Sequence, residues 1–341
     1  MRVMKKIITA LCVLLTVSCF TLNVSALVFT EGDYGFELNT RKQTATVVEY
    51  TGSDTVVYVP GSYSNYPVTK VAATAFSGHS FVESINLPSS ITTVENSSFE
   101  SCANLADVHF PNSVIKLGEN VCKNCSALET VSLNANISII PRMAFAGCSS
   151  LVNLNIGETI TDVGAYAFQY CTSLNDFSNF KNIKNIDEYA FDHTGFSYIS
   201  IPGEVTNLKA YSFSNCSDLS RVDIPKSVDV IDDNAFYNDP NLNLGVWYGS
   251  YGYEYAIAQN IPYVLLDGAL LCDANGDGSV NINDVTTIQR YLAELETLEG
   301  IYLHAADANQ DGTVDIADAT AIQMYLAEYE MDYPIGDVIT Q

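Results

Sequence analysis

The fold of this chain is decided by a stretch that runs from Ala144 to Ile156 and reads AFAGCSSLVNLNI. Its second half alternates apolar and polar side chains, which is typical of a short, half-buried β-strand. The pair that opens the stretch recurs at steps of 23 residues, with one step of 22. The second residues of the successive copies are Phe76, Phe99, Cys122, Phe145, Phe168, Phe191, Phe213 and Phe236. A fixed period of this length predicts a repeat architecture.

A second position of the repeat, three residues further on, is occupied by cysteine in five copies. These residues are Cys102, Cys125, Cys148, Cys171 and Cys216. One such unit cannot bury its own apolar face, but units stacked about 4.8 Å apart build a continuous core. The sequence therefore predicts a mostly β solenoid with a 23-residue period. We expect the cysteines to form a buried ladder of thiols. Disulfides between neighbouring repeats are the alternative.

The repeats resemble leucine-rich repeats of the BspA-like type found on bacterial surfaces. The resemblance covers about residues 50–264, within a predicted solenoid domain that spans residues 27–264 with a cap at each end. The pattern departs at Cys122, where Phe is expected, and near His193, where one residue and the Cys are missing. We expect these two repeats to be locally irregular.

The amino-terminal residues have the pattern of an export signal. Arg2, Lys5 and Lys6 precede an apolar run over residues 7–20, and small residues at 24–26 offer a cleavage site. Residues 1–26 are therefore predicted to be a secretory signal peptide. A lipoprotein signal, with Cys19 lipidated, is the alternative. No second apolar run long enough to span a membrane follows.

The charge of the chain restricts its partners. There are 40 acidic residues against 15 basic ones, a formal net charge of −25. Such a chain repels phosphate backbones and anionic headgroups, so nucleic-acid and lipid-surface binding are disfavoured. Residues 265–341 contain 15 acids and a single base, Arg290. That density indicates a bound cation.

The acids near the carboxyl terminus form two copies of one loop, 34 residues apart. Oxygen-bearing side chains occupy loop positions 1, 3, 5, 9 and 12, position 7 offers a backbone carbonyl, and glycine occupies position 6, where the turn needs a positive φ. This is the ligand set of a hard cation of calcium size. The predicted ligands are Asp273, Asn275, Asp277, Ser279, Asn281 and Asp284 in the first loop, and Asp307, Asn309, Asp311, Thr313, Asp315 and Asp318 in the second.

A short amphipathic helix is predicted after each loop. Two such loop-helix units resemble a type I dockerin, the module that docks proteins onto cohesins of cellulosome-like scaffolds. The resemblance implies a small all-α domain over residues 265–341, two Ca²⁺ ions, calcium-dependent folding and a cohesin partner. It also implies cohesin contacts at the helix starts and on one face of each helix. These positions are Ile282, Asn283, Gln289 and Arg290 in the first copy, and Ile316, Ala317, Gln323 and Met324 in the second.

No sequence motif points to catalysis: HExxH, GxSxG, the P-loop and GxGxxG are all missing. A regular solenoid also offers a shallow surface rather than a deep pocket. We therefore expect a secreted, non-catalytic protein whose repeats present a polar surface to an unknown protein ligand and whose dockerin joins a polysaccharide-degrading complex. The alternatives are a surface adhesin that contacts host or neighbouring cells, and a carbohydrate-binding module or hydrolase.

Overall fold

In a computed structural model of the chain, residues 27–133, 136–266, 268, 270–337 and 339 are described. The predicted signal peptide lies outside these residues. The first six strands are β1 (Val28–Glu31), β2 (Tyr34–Asn39), β3 (Thr44–Tyr50), β4 (Val56–Tyr58), β5 (Ser62–Tyr63) and β6 (Tyr66–Val71). The first three form an antiparallel meander, and β3 then pairs in parallel with β6. This meander closes the first end of the solenoid.

Most repeats contribute two short strands, one to a front sheet and one to a back sheet. Those of the first five repeats are β7 (Ser84–Asn86), β8 (Thr93–Val94), β9 (Asp107–His109), β10 (Lys116–Leu117), β11 (Thr130–Leu133), β12 (Ile139–Ile140), β13 (Asn153–Ile156), β14 (Asp162–Val163) and β15 (Asn185–Ile186). The later strands are β16 (Tyr198–Ser200), β17 (Asn207–Leu208), β18 (Arg221–Asp223), β19 (Val230–Ile231), β20 (Asn243–Val246) and β21 (Tyr263–Leu265).

The front strands run parallel in two groups, β4-β7-β9-β11-β13 and β16-β18-β20-β21. Their register joins residues one period apart, so Val108, Val131 and Leu154 lie side by side. These three side chains are buried, and their strand neighbours point outward. The predicted solenoid and its period are thus confirmed.

The core is built from two ladders of equivalent side chains. Successive phenylalanines stack, as Phe168 does on Phe191 with a centroid distance of 5.6 Å. Each thiol of the five-cysteine ladder donates to a backbone carbonyl of the preceding repeat, as Cys102 does to Phe76 O at 3.0 Å. All seven cysteines of the described residues are buried, free thiols. Burial raises the pKa of Cys102 to about 12, so this thiol stays neutral.

The two sheets are interrupted next to the repeats of Cys122 and His193, in which the sequence predicts irregularities, but the causes of the breaks are different ones. The back sheet breaks between β10 and β12, where Pro141 follows β12 and has no N–H to donate to the neighbouring repeat. The front sheet breaks before β16, where Ser178–Phe180 forms a 3-10 helix in place of a strand. There the inward side chains Phe177 and Phe180 are three residues apart rather than two, and three residues make one turn of a 3-10 helix.

The second end of the solenoid is closed by α1 (Tyr251–Gln259), which begins at the N-cap Ser250 and ends at Asn260 in the left-handed region. After β21 come α2 (Ile282–Leu292), α3 (Gly300–Ala306) and α4 (Ile316–Leu326). Helices α2 and α4 pack together, with Val285, Ile288 and Ile322 buried among them. The helical carboxyl-terminal region agrees with the sequence prediction.

Candidate functional site

Each acidic loop is folded around the aspartate at its first position. Asp273 is buried, and its two carboxylate oxygens accept from the N–H groups of Asp277 at 3.0 Å and Gly278 at 2.8 Å. Asp307 does the same with Asp311 at 3.1 Å and Gly312 at 2.9 Å. The two loops therefore share one conformation.

The turn at loop position 6 explains why glycine is needed there. Gly278 has φ of 83° and Gly312 has φ of 88°, in the left-handed region that a side chain strongly disfavours. This turn brings the backbone N–H groups round to face the first aspartate.

The aspartate at position 12 ties the far end of the loop to its start. Asp284 accepts from Asn275 N–H at 3.1 Å and from Asn281 N–H at 2.8 Å. Asp318 makes the equivalent bonds to Asn309 and Asp315 at the same distances. The second bond of each pair is half of a capping box that starts the following helix.

The charges of these aspartates are not balanced within the protein. Asp273, Asp284, Asp307 and Asp318 are all buried, and none takes part in an ion pair among the described residues. Burial raises the pKa of Asp284 and of Asp318 above the ordinary value, although backbone N–H donors act in the opposite direction. Buried carboxylates of this kind call for a cation.

The donor set fits a calcium-sized ion better than a softer metal. No three or more His, Cys, Asp or Glu side chains come together as a metal cluster in the described part of the chain. The carboxylates at positions 1, 5 and 12 would therefore need the amide, hydroxyl and backbone oxygens of the loop, and such mixed oxygen ligation is what calcium prefers. Cys272, which adjoins the first loop, is buried, and burial raises the pKa of its thiol to about 12.

Two family models match the chain. A model described as a BspA type leucine rich repeat region, in six copies, matches residues 69–194 and 138–245, which together make up more than half of the sequence. The chain belongs to the BspA type leucine-rich repeat family. A dockerin type I domain model matches residues 271–327, so the protein carries a carboxyl-terminal dockerin after its BspA-type repeats.

Solved structures resemble the repeat region. A leucine rich cell surface protein from Faecalibacterium prausnitzii A2-165 is 24% identical, with 64% of this chain and 76% of that chain covered and a TM-score of 0.51. A leucine-rich repeat protein from Bacteroides ovatus ATCC 8483 is 20% identical, with 64% and 71% covered and a TM-score of 0.47. At these identities the likeness concerns the fold alone. No curated protein matches the chain.

The eight positions expected to contact a cohesin lie on two exposed helix faces of the dockerin. Ile282 and Ile316 are 59% and 62% exposed at the starts of α2 and α4. The other six are also exposed, namely Asn283, Gln289 and Arg290 on α2, and Ala317, Gln323 and Met324 on α4. The faces differ in one respect: Arg290 Nε donates to Glu296 Oε2 at 2.9 Å, whereas the equivalent residue Met324 carries no charge.

The dockerin touches the end of the BspA-type repeats. The Tyr248 ring stacks on His304 with a centroid distance of 5.5 Å. Strand β21 ends at Leu265, one residue past the predicted domain boundary, and the Leu265 N–H donates to Ile339 O at 3.2 Å. No helix in the described part of the chain has the length and apolar character that a membrane span requires. Neither the BspA-type repeat family nor the dockerin family is catalytic.

One surface feature of the repeats escaped the sequence analysis. Tyr166, Tyr189 and Tyr211 stack in a row along one side of the solenoid, with centroid distances of 4.7 and 4.6 Å. Each lies two residues before the recurring phenylalanine of its repeat. That spacing is visible in the sequence and was the signal that could have found the row.

Proposed function

We propose that this protein is a secreted, non-catalytic component of a cellulosome-like complex, which it joins through calcium-dependent binding of its dockerin to a cohesin. Its leucine-rich repeats then present a protein-binding surface. The observation that carries this proposal is the pair of loops in which buried aspartates at positions 1 and 12 have no cationic partner. In this proposal the domains are residues 27–264 and 265–341.

Two Ca²⁺ ions would be held, one by the first loop (Asp273, Asn275, Asp277, Ser279, Asn281 and Asp284) and one by the second (Asp307, Asn309, Asp311, Thr313, Asp315 and Asp318). Bound calcium would balance the negative charge of these carboxylates. The last residues of each loop also form the capping box that begins α2 or α4. Ordering of a loop therefore favours formation of the helix that follows it.

The two helix faces are similar enough for either to lead in docking. Ile282 and Ile316 would supply the apolar contact in each mode. The ion pair of Arg290 with Glu296 and the apolar Met324 break this symmetry, so the two modes would differ in affinity.

The test is binding of the full chain to a panel of bacterial cohesins, with calcium and with excess EDTA. At least one cohesin should bind in calcium and be released by EDTA, and an Ile282→Asp, Ile316→Asp double variant should bind at least about tenfold more weakly because both faces are then charged. A panel that stays empty in calcium would contradict the proposal.

A surface adhesin is the second candidate: the protein from Faecalibacterium prausnitzii that shares the repeat fold is described as a leucine rich cell surface protein. In that case the repeats would contact another cell and the dockerin would anchor them. A polysaccharide panel separates both proposals from a carbohydrate-binding module or a hydrolase, since pull-down or turnover of a polysaccharide would support those instead.

A further inference from the structure

The break in the front sheet leaves a cleft beside β16. Its volume is about 540 Å³, which is within the range of ligand-binding sites. The 3-10 helix Ser178–Phe180 packs on the β13 side, and the opposite wall is β16 with Pro202 and Gly203 after it. The cleft is therefore a consequence of the missing strand.

The edge of β16 that borders this cleft carries unpaired strand positions. Towards β18, Ser197 O accepts from Arg221 N–H at 3.3 Å and Ile201 N–H donates to Asp223 O at 3.0 Å. In a parallel strand the backbone groups of alternate residues point to opposite edges, so those of Tyr198 and Ser200 are directed at the cleft. Among the described residues, β16 pairs with β18 alone. Such an edge is a template for a further strand.

Tyr198 lines the cleft and is held in place from the β18 side. Its hydroxyl donates to Asp223 Oδ2 at 2.8 Å, and Asp223 Oδ1 accepts from Arg221 Nε at 2.6 Å. The ring is still 50% exposed, so it offers a fixed aromatic surface to a side chain of a bound segment.

The charge around the cleft favours one kind of segment. Asp176 lies in the lining, and the base in the lining, Lys181, is within 3.6 Å of the carboxylate of Glu158. The protein as a whole carries a net charge of −25. An acidic segment would be repelled, whereas an uncharged or basic one would not.

We propose that this cleft binds an extended, uncharged or basic segment of a partner protein, which adds to β16 as a strand. The inference rests on the proposed function, in which the repeats present a protein-binding surface. Backbone hydrogen bonds to Tyr198 and Ser200 supply affinity, and the Tyr198 ring selects the side chain that lies over it.

Two tryptophan substitutions test the site. A Cβ at Gly203 would meet no heavy atom within 4 Å, so Gly203→Trp fills the cleft without disturbing the core. The matched control is Asn112→Trp, which places the same side chain at the exposed, equivalent position after β9, where the sheet is unbroken. The probe is a random peptide library displayed on phage and selected on the full chain in calcium.

Selected peptides should bind the wild type and Asn112→Trp within about twofold of each other, and Gly203→Trp at least about tenfold more weakly. Amide exchange at Tyr198 and Ser200 should slow when such a peptide binds. A selection that yields no peptide sensitive to Gly203→Trp overturns the inference, and so does self-association of the wild type that Gly203→Trp abolishes. Calcium-dependent cohesin binding by Gly203→Trp is measured in parallel, so failure of the cleft and failure of docking are separate results.

Discussion

Asp239 shows how one residue can end a ladder. It occupies the repeat position that cysteine fills in Cys216, and its Oδ1 accepts from Cys216 N–H at 2.7 Å. Its Oδ2 is buried without a hydrogen-bond partner among the described residues. Burial, opposed by the Cys216 N–H and reinforced by the charge of Asp192, raises the pKa of Asp239 from 3.8 to about 8. The charged form is therefore the less stable one in the folded protein.

We predict that Asp239→Asn increases the free energy of unfolding at pH 7. Because the pKa of Asp239 is raised in the folded state, its carboxyl makes its full contribution to the free energy of unfolding below about pH 4. The wild type loses this contribution as the pH rises towards about 8. The variant should lack that loss. Urea denaturation between pH 4 and pH 8 measures it, with the exposed Asp229→Asn as the control. A variant less stable than the wild type at pH 7 would contradict the assignment.

We predict that Asp284→Ala leaves the dockerin with one calcium ion instead of two. The substitution removes a position-12 carboxylate and its bond to Asn281 N–H, which costs about 1 kcal/mol of helix capping in addition. Isothermal titration calorimetry gives the stoichiometry, and Asp332→Ala, an exposed aspartate of the same module, is the control. Two ions bound to Asp284→Ala would show that the first loop does not use this ligand.

The cysteine ladder is an element whose stability depends on neutral thiols. Burial raises the pKa of Cys102 and of Cys216 from 9.0 to about 12. We predict that the contribution of these thiols to the free energy of unfolding is constant below about pH 9 and falls above it, since the thiols of the unfolded chain ionise first. Urea denaturation at about pH 8 and pH 10.5 measures this, and Cys102→Ala should reduce the slope. Native thiols that react with a disulfide reagent as fast at pH 8 as unfolded ones would contradict it.

The ladders and loops could be predicted from the sequence because each depends on residues at fixed local spacing. The inward side chains Phe177 and Phe180 are three residues apart, whereas the equivalent side chains of neighbouring repeats are two apart. This difference is also local in the sequence, but it predicts a break in the sheet only when the repeats are compared with one another. The irregularities expected at Cys122 and His193 lie near the observed breaks. The breaks themselves are caused by Pro141 and by the spacing of Phe177 and Phe180. Cys122 does not cause one, because a buried Cys fits the place of Phe without disturbing the backbone.

The contacts between the repeats and the dockerin could not be predicted from the sequence, because they follow no periodic pattern. Tyr248 and His304 are far apart in the chain, and nothing in their local sequence links them. The assignment of calcium ligands and cohesin contacts likewise stays a prediction, since it depends on an ion and a partner.

We predict that chelation of calcium loosens the last strand of the solenoid as well as the dockerin. Without the ion the loop aspartates repel one another, the helices lose order, and Leu265 then loses its bond to Ile339. Hydrogen exchange in EDTA should therefore speed up in residues 263–339 and stay unchanged in β7 and β9. Unchanged exchange in β21, or unchanged far-UV circular dichroism of the full chain, would contradict the prediction.

Where the dockerin begins, the chain makes contact with the segment that follows α4. Leu271 N–H donates to Asp337 O at 2.9 Å, and Gly336 N–H donates to Leu271 O at 3.0 Å. The two ends of this unit therefore lie side by side, an arrangement that favours transfer of a domain into another host. Transfer onto an unrelated carrier would then need redesign chiefly where His304 and Ile339 meet the repeats.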